Sequence, residues 1–534
     1  MRRRRHAPDR DSLRPAASLS RRALLRGVTA TGLGAAAGTF IWSALPSVRA
    51  AGPAETQASA WQPFDAVVQA AMQIFDMVGA AVAVVTTDGI LYHQTFGVRD
   101  RTSGAAVTPG TLFRVASTTK SMSALLVATF VDEGRLGWDQ PVREVWPAFR
   151  APTADLTAAL RVRDLLGMAT GLGAPPLADL QQGYPNPRQL LESVASLPVL
   201  APPNGVFYYN NTVYALGGYL PALVLGTEPE ELLAVHTRQM QERVFAPVGM
   251  VSARKGDDPR PFSDDYATGY ALDLEQGMAA EPWATVGSFA PVGGTFASLT
   301  DMAAYVTLQL RGGTTPAGRR VVSAENLAAC WQPTIEIPVA PEAAAAAPAV
   351  SDVSYCRGWV LTHYRGGRRL LSHTGGEDGF LCNIAFLPDD DLGLVVLTNT
   401  FTGGPAFVSY VLNLLLEQRF GLAADNDVLV AQYQDTTGQL AGLAGQAVPV
   451  DPAVIAPYLG YYEEGFRLAF DAAGSLRLHL QNRAWRVLGQ PDGSYVGGSG
   501  LLAGAAINLG RDAVGVPQLE LQDLATVRWQ SGLG

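Results

Sequence analysis

Lysine is almost absent from this chain of 534 residues. Of its 39 basic residues, 37 are arginine, and the two lysines are Lys120 and Lys255. Arginine keeps its proton at any useful pH, so it cannot serve as a general base. A lysine retained in such an arginine-rich chain is therefore a candidate for a function that requires a titratable amine.

Cysteine and histidine are also scarce. The three cysteines, Cys330, Cys356 and Cys382, are too few for a disulfide framework. Cys356 and Cys382 pair if their strands are neighbours, and otherwise they are buried thiols. The six histidines are scattered and form no HExxH pattern, and CxxC is also missing, which argues against a zinc hydrolase. We expect neither a metal nor a cofactor.

Basic charge is concentrated in the first fifty residues. They hold ten arginines and two acidic residues, with the pair Arg21-Arg22 before an Ala/Gly-rich apolar stretch that ends ahead of Ala51. This pattern resembles a twin-arginine export signal, and the alternatives are a basic tail or an uncleaved anchor. Four glycines interrupt the apolar stretch, which argues against a stable membrane span. We expect export to the periplasm, the cell envelope or the medium.

The rest of the chain is acidic. Without residues 1–50 it has 29 basic and 46 acidic residues, a formal net charge of −17. Such a surface repels nucleic acid and anionic lipid, and no basic cluster remains in this part of the sequence. Nucleic acid is therefore not an expected partner.

The most informative local motif is Ser117-Thr118-Thr119-Lys120. A run with helical spacing follows from Ser121 to Glu133, and Gly134 ends it, which predicts an amphipathic helix that starts near Ser117. Lys120 then lies one turn after Ser117 on the same face. The first turn of a helix offers free N–H groups and favours an oxyanion. Because a desolvated lysine can take the proton of a serine hydroxyl, the pair is a candidate nucleophile and base.

Strand signals lie at both ends of the main segment, and helical stretches lie between them. The first two strands, 80–86 and 90–96, are joined by Asp88-Gly89, which predicts a hairpin. From about residue 136 to 291 helix and loop dominate, which predicts an inserted helical subdomain. Strand signals return at 358–364, 369–374, 380–387 and 393–398. We therefore predict one sheet built from both ends of the segment.

The C-terminal part has a different pattern. A helix is predicted from Ala406 to Phe420 with Gly421 as its cap, and a small all-β module is predicted from Tyr458 to Trp529. The expected organisation is a signal at 1–50, the main unit at 51–421, a linker at 422–452 and the β module at 453–534.

Two further motifs follow the first one along the chain. Tyr209-x-Asn211 is weak alone, since 17 tyrosines give such a match about half the time by chance. His373-Thr374-Gly375-Gly376 is rarer, but it also suits a strand that ends at a glycine turn. In the order SxxK, YxN and HTG, the three motifs resemble those of the serine β-lactamase and penicillin-binding-protein superfamily, in particular its class C-like branch. The resemblance covers about residues 61–420.

The resemblance implies an α+β fold, with a β-lactamase/transpeptidase-like antiparallel sheet that is flanked by helices and carries the inserted helical subdomain, and an acyl-enzyme mechanism. Ser117 would attack an acyl carbonyl, and Lys120 with Tyr209 would move the proton and activate water for deacylation. Asn211 would orient the substrate or Lys120. The implied substrate-binding strand contributes His373, Thr374, Gly375 and Gly376. The N–H groups of Ser117 and Gly376 would form the oxyanion hole, and the C-terminal module resembles a small β-barrel appended to some members.

One residue departs from the family pattern. β-Lactamases and DD-peptidases of this superfamily usually have a lysine where this chain has His373, and that lysine meets the substrate carboxylate. A histidine with its ordinary pKa is mostly neutral at pH 7. The sequence therefore favours an exported serine hydrolase that cleaves an ester or amide bond in a small molecule or peptide. The alternatives are a class C-like β-lactamase or DD-carboxypeptidase, and a non-catalytic binding module of the same fold.

Overall fold

The computed structural model describes residues 57–174, 186–283, 285–340, 347–422, 425–522 and 525–532. The export signal expected at residues 1–50 lies outside the described residues. The α-helices are α1 (Gln57–Ile74), α2 (Thr119–Asp132), α3 (Val142–Val145), α4 (Ala154–Ala159), α5 (Val162–Leu166), α6 (Pro187–Ser193), α7 (Asn211–Leu223), α8 (Leu232–Gln239), α9 (Ala246–Val248), α10 (Leu299–Leu310), α11 (Ala324–Cys330), α12 (Gly404–Phe420), α13 (Asn426–Gly445) and α14 (Pro452–Ile455).

The strands belong to a main unit and to a C-terminal module. The strands of the main unit are β1 (Gly79–Thr86), β2 (Gly89–Asp100), β3 (Ala105–Ala106), β4 (Phe113–Arg114), β5 (Arg254–Lys255), β6 (Tyr270–Asp273), β7 (Gly277–Ala280), β8 (Thr295–Ala297), β9 (Ile335–Glu336), β10 (Val350–Tyr355), β11 (Val360–Tyr364), β12 (Arg369–Glu377), β13 (Phe380–Leu387) and β14 (Leu392–Thr398). Those of the module are β15 (Gly460–Tyr462), β16 (Phe466–Phe470), β17 (Leu476–Leu480), β18 (Arg483–Gly489), β19 (Tyr495–Gly497), β20 (Ala506–Arg511), β21 (Pro517–Leu521) and β22 (Ala525–Ser531).

A nine-stranded antiparallel sheet forms the centre of the main unit, in the order β3-β2-β1-β14-β13-β12-β11-β10-β9. β1, from the N-terminal end of the unit, pairs with β14 from its C-terminal end, and Val84 lies opposite Leu394. The prediction of one sheet built from both ends of the segment is confirmed. The predicted hairpin is also confirmed, because β1 pairs directly with β2 around Gly89.

Helices cover both faces of this sheet, as alternate side chains of β1 show. Ala81, Ala83 and Val85 pack in the core that includes α2, α7 and α10, whereas Ala80, Val82 and Val84 pack in the core with α1 and α12. Successive side chains of a strand point to opposite faces, so a strand that is apolar at every position needs two covering layers.

The helix that follows Ser117 is buried on every side. The run was predicted to be amphipathic, but residues 119 to 130 are all buried. Its hydroxyl groups are satisfied within the protein: Ser123 Oγ donates to Pro291 O at 2.6 Å and Thr129 Oγ1 donates to Leu126 O at 2.8 Å. Because buried polar groups are tolerated when they are hydrogen-bonded, polar residues here do not mark a solvent face.

The three cysteines are separate buried thiols. Cys382 lies in β13 and contacts Arg114 O, whereas Cys356 follows β10 and contacts Trp331 O. β10, which ends directly before Cys356, is not a neighbour of β13 in the sheet, and the pairing considered from the sequence is not formed.

The segment 422–452 connects the main unit to the C-terminal module. It was predicted to be a linker, and it contains the 20-residue helix α13. Tyr433 of this helix packs against Phe75, with ring centroids 5.4 Å apart, and donates a hydrogen bond to Asp76. The connection is therefore a helix anchored on the main unit.

The predicted all-β module is confirmed as a closed barrel of eight strands, β15 to β22. Its interior is a separate hydrophobic core that includes Leu468, Leu478, Trp485 and Leu519. The alternation of apolar and polar residues along its strands places one set inside and the other outside, as closure of a small barrel requires.

Candidate active site

Ser117 lies at a sharp turn between the short strand β4 and the buried helix α2. The N–H group of Val115 donates to Thr295 O at 2.9 Å, which holds the chain at the end of β4. Ala116 then has a φ of +45°, a backbone conformation that is costly for a residue with a Cβ atom. One turn of 3₁₀ helix carries Ser117 into α2, and the serine is half-buried.

Lys120 contacts the serine directly. Its Nζ donates to Ser117 Oγ at 2.8 Å, and the lysine is 0% exposed. The regular α-helix begins at Thr119, two residues later than predicted, but the spacing of three residues still places both side chains on one face. Val292 O lies 3.5 Å from the same Nζ.

Tyr209 lies over Lys120. The lysine Nζ is 4.7 Å from the centre of the tyrosine ring. The next residue, Asn210, caps α7 by accepting from the N–H group of Val213 at 3.0 Å, and Asn211 is the first residue of that helix. Since α7 packs against α2, the YxN motif is brought beside the SxxK motif.

His373 is held in one neutral form by two hydrogen bonds. Its Nδ1 lies 2.6 Å from Thr374 O, a pure acceptor, so Nδ1 carries the proton and Nε2 accepts from the Tyr355 hydroxyl at 3.3 Å. The side chain is 5% exposed. Burial, together with the positive charge of Lys120, lowers the pKa of His373 to about 3. The histidine therefore carries no charge at neutral or mildly acidic pH.

Gly375 brings strand β12 against the serine turn. A Cβ atom at this position would lie 2.2 Å from Val115 O and 3.0 Å from the backbone nitrogen of Ser117. No other residue fits this approach without moving one of the two segments. The close contact places Thr374 and Gly376, the neighbours of Gly375 in β12, beside the serine turn as well.

The structure therefore brings the three sequence motifs together. Ser117, Lys120, Tyr209 and His373 form one connected group. Asn211, Thr374 and Gly376 lie on the elements that border it, and their substrate-binding roles remain predictions.

Tyr355 belongs to the site, and sequence reasoning missed it. Its ring contacts those of Phe207, Tyr209 and His373, with centroid distances of 5.9, 6.2 and 6.1 Å. Burial raises the pKa of Tyr355 well above its usual value, so the hydroxyl keeps its proton and remains a donor to His373. The sequence offered no signal, because Tyr355 ends strand β10, which its pattern did not predict.

The second lysine of the chain, Lys255, stood out by composition, but sequence reasoning gave it no place in the site. Lys255 Nζ donates to the carbonyl oxygens of Ala290 and Gly293, and to Thr295 Oγ1 at 3.1 Å. Burial lowers the pKa of Lys255 to about 7. The loop it holds includes Val292, whose carbonyl oxygen faces Lys120, so both lysines contact one short segment. The composition was the available signal, since only these two positions use lysine.

The family model described as Beta-lactamase matches residues 64–417. The chain belongs to the β-lactamase family. Among curated relatives, this β-lactamase-family chain is 26% identical over 463 residues to "Unguisins hydrolase ungD" of Aspergillus violaceofuscus, across 78% of the chain and 77% of that protein. It is also 26% identical over 397 residues to "Penicillin-binding protein 4" of Amycolatopsis lactamdurans, across 72% of the chain and 93% of that protein.

A solved structure supports the same fold. The octameric penicillin-binding protein homologue from Pyrococcus abyssi superposes with a TM-score of 0.58 at 19% identity, over 87% of this chain and 99% of that one. The α+β β-lactamase/penicillin-binding-protein fold with a C-terminal barrel is thus confirmed, and the family match places the chain in the serine β-lactamase/penicillin-binding-protein superfamily. No helix in the described ranges has the length and apolar character needed to cross a membrane.

Proposed function

We propose that this β-lactamase-family chain is a serine hydrolase that cleaves an ester or amide bond through an acyl-enzyme on Ser117. The observation that carries the proposal is the 2.8 Å contact between Lys120 Nζ and Ser117 Oγ, made by a lysine with no solvent exposure. A serine hydroxyl becomes an effective nucleophile when a neighbouring base removes its proton in the transition state.

In the proposed mechanism Lys120 takes the Ser117 proton as Oγ attacks the acyl carbonyl. Tyr209, which lies over the amine, relays this proton from Lys120 to the leaving group as the bond between the acyl carbon and the leaving group breaks. The N–H groups of Ser117 and Gly376 stabilise the negative charge that develops on the carbonyl oxygen. Water, activated by the same pair of side chains, then attacks the acyl-enzyme and releases the acid, which frees Ser117 for another turnover.

The environment of the site favours a substrate whose acyl part is neutral and apolar. His373 is neutral and engaged on both nitrogens, so it supplies no positive charge to a substrate carboxylate. Phe207, Tyr209 and Tyr355 add an aromatic surface next to it. The relative "Unguisins hydrolase ungD" is named for hydrolysis of unguisins and not of β-lactams. Its name is consistent with a substrate other than a β-lactam for this chain.

The second candidate function is hydrolysis of β-lactams or of D-alanyl peptides. The observation in its favour is the alignment with a penicillin-binding protein across 93% of that protein's length. The absence of a lysine at position 373 counts against it, because His373 cannot form a charge-assisted hydrogen bond to a carboxylate.

A two-part assay tests the proposal. A fluorophosphonate probe should label wild-type protein at Ser117, as shown by mass spectrometry of the labelled peptide. A panel of neutral chromogenic esters, D-aminoacyl amides and a cephalosporin then ranks kcat/KM. Turnover of a neutral ester or amide with weak cephalosporin turnover supports the proposal. A protein that is not labelled would instead be a binding module.

Replacing His373 by lysine should reduce the difference in kcat/KM between neutral substrates and anionic ones. A fixed ammonium adds a charge-assisted hydrogen bond to a carboxylate of about 1.5–3 kcal/mol, roughly ten- to a hundredfold in rate. The measured quantity is kcat/KM for an anionic cephalosporin divided by kcat/KM for a neutral ester. We expect this ratio to rise at least tenfold in His373→Lys, mainly through the cephalosporin.

His373→Gln is the matched control, because glutamine is neutral and retains hydrogen-bonding groups. Its substrate ratio should stay near that of wild type. Lowering the pH from 7 to 5 should not raise the wild-type ratio either, since the pKa of His373 is lowered to about 3. If the lysine variant leaves the ratio unchanged, position 373 does not face a substrate carboxylate, and the preference for neutral substrates loses its support.

Export through a twin-arginine route is part of the proposal and rests on residues 1–50. Changing Arg21 and Arg22 together to lysine should leave the protein in the cytoplasm, because this route requires the arginine pair. The readout is fractionation followed by immunoblotting. Changing Arg2 and Arg3 to lysine in the same way is the control and should leave export intact. Normal export of the Arg21/Arg22 variant would point to a different route.

A further inference from the structure

Two arginines and two carboxylates lie together at the end of the strand that carries Gly376; Arg114, Glu377 and Arg483 are buried, and Asp378 is half-buried. Arg114 Nη1 lies 3.6 Å from Glu377 Oε1 and 3.9 Å from Asp378 Oδ2. Arg483 Nη2 donates to the same Asp378 oxygen at 2.7 Å. Arg114 is 0% exposed, and the Arg483 side chain is 5% exposed. We call these four residues the charge cluster.

The charge cluster lies at the backbone segments that would form the oxyanion hole. Arg114 is three residues before Ser117, and Glu377 directly follows Gly376 at the end of β12. Asp378 occupies the turn into β13 with a φ of +25°, a conformation that needs support from its surroundings. Asp378 lies two residues along the chain from Gly376, whose N–H group the proposed mechanism uses.

One member of the charge cluster comes from the C-terminal barrel. Arg483 opens strand β18, whereas Arg114, Glu377 and Asp378 belong to the main unit. Lys255 and Glu281 border the cluster and interact electrostatically with Glu377 and with Asp378, respectively. Without Arg483, Arg114 would be the one guanidinium left in the cluster for two carboxylates that are adjacent in the chain, the buried Glu377 and the half-buried Asp378.

The electrostatic consequence follows from the charge that develops during acyl transfer. The transition state places negative charge on the substrate oxygen, and stabilising that charge is usually the largest catalytic effect of such a site. An uncompensated buried carboxylate nearby raises the energy of that state, because charges interact strongly where water is excluded. Breaking a buried ion pair from one side also leaves the remaining charge unpaired.

We propose that Arg483 of the barrel is a positioning residue for the hydrolase site. It neutralises Asp378 and leaves Arg114 to pair with Glu377, which holds the end of β12 and keeps uncompensated negative charge away from the acyl oxyanion. The barrel thus contributes to acyl transfer through Asp378 without contacting the substrate. The inference rests on the proposed function, because it concerns the oxyanion of an acyl-enzyme reaction.

A matched control lies on the same strand. Arg486 also joins the barrel to the main unit, with Nε 3.4 Å from Asp273 Oδ2 and Nη1 2.5 Å from Glu275 Oε2. Its side chain is 7% exposed, close to that of Arg483. Its partners belong to strand β6 and the turn after it, not to β12. Arg483 and Arg486 therefore share a docking role and differ in their link to Gly376.

The experiment compares four variants of the full chain with wild type: Arg483→Gln, Arg483→Lys, Arg486→Gln and the double variant Arg483→Gln with Asp378→Asn. The measurements are kcat and KM for a neutral chromogenic ester, the rate of fluorophosphonate labelling and the thermal unfolding temperature. Arg483→Gln should lower kcat and the labelling rate at least tenfold, with KM within about twofold of wild type. Arg486→Gln should keep kcat within about twofold.

The double variant and Arg483→Lys distinguish the loss of charge compensation from a general loss of folded structure. The double variant removes both members of the pair and leaves no extra charge, so it should recover most of the lost kcat. Arg483→Lys keeps the positive charge and should retain more activity than Arg483→Gln. If Arg483→Gln unfolds at a lower temperature than wild type, this test is not affected. The double variant and Arg483→Lys are each compared with Arg483→Gln, and the expected result is a gain of activity.

Three results would overturn the inference. One is an Arg483→Gln variant with wild-type kcat. Another is an equal loss in Arg483→Gln and Arg486→Gln, which would assign both residues to docking alone. The third is a double variant that is no better than Arg483→Gln. These results test the inference only if the probe labels the wild-type protein at Ser117. If the wild-type protein is not labelled, the proposed function itself is rejected, and the inference with it.

Discussion

Ser117→Ala is expected to lower kcat at least about 10⁴-fold, a loss of more than about 5 kcal/mol of transition-state stabilisation, and to abolish fluorophosphonate labelling. The nucleophilic oxygen is removed, and neither Lys120 nor Tyr209 can replace it as the site of acylation. The fold should remain, because the hydroxyl is half-buried and the loss of its hydrogen bond from Lys120 costs only about 1 kcal/mol. The measurements are ester turnover, intact mass after labelling and thermal unfolding.

Ser123→Ala is the control for this prediction. Ser123 lies in the same helix, is buried and donates to Pro291 O at 2.6 Å, so its loss should reduce stability but leave labelling in place. If Ser117→Ala were labelled at the wild-type rate, the nucleophile would be another residue, and the mechanism proposed for the SxxK motif would be wrong.

Lys120→Arg should be nearly as damaging, with a loss of kcat of at least about a hundredfold, or about 2.7 kcal/mol. The substitution keeps a positive charge and removes a base, because a guanidinium does not give up its proton at useful pH. The Nζ atom is enclosed between Ser117 Oγ and the ring of Tyr209, so a planar guanidinium also has no matching space. The labelling rate of folded protein, checked by thermal unfolding, is the measurement.

Lys120→Met distinguishes the two causes of the loss, which are the missing base and the poor fit of a guanidinium. It fits the buried position without a charge or a base, so it should keep the fold and still fail to acylate. A Lys120→Arg variant that retains more than a tenth of wild-type kcat, a loss below about 1.4 kcal/mol, would contradict the assignment of Lys120 as the base. Activity in both variants would move the base to another side chain.

Features that are determined by residues adjacent in the sequence were predicted from the sequence by itself. The spacing of Ser117 and Lys120 places both on one helical face whatever surrounds them, and Asp88-Gly89 specifies the turn between β1 and β2. Gly421, with a φ of +63°, ends α12 where the pattern predicted. These outcomes follow from backbone geometry over a few residues, which is written into the local sequence.

Other features were decided by tertiary structure. The neutral state of His373 depends on its burial by other elements and on the neighbouring Lys120 and Tyr355. The burial of residues 119 to 130 in α2 depends on layers contributed by residues far along the chain. The segment 422–452 has a linker-like composition, and its helix is anchored by contacts with Phe75 and Asp76, the two residues directly after α1. The hydrogen bond from Arg483 to Asp378 joins the barrel to the main unit, and no motif in either part of the sequence predicted this contact.

The physical reason for this division is the range of the forces involved. Backbone conformation and helical spacing are local, so a short stretch of residues determines them. Desolvation and charge–charge interaction depend on which distant groups exclude water from a side chain, and a sequence read in order does not contain that information. The order of the motifs was enough to identify the catalytic candidates in this chain, whereas their protonation states and their connection to the barrel required the packed structure.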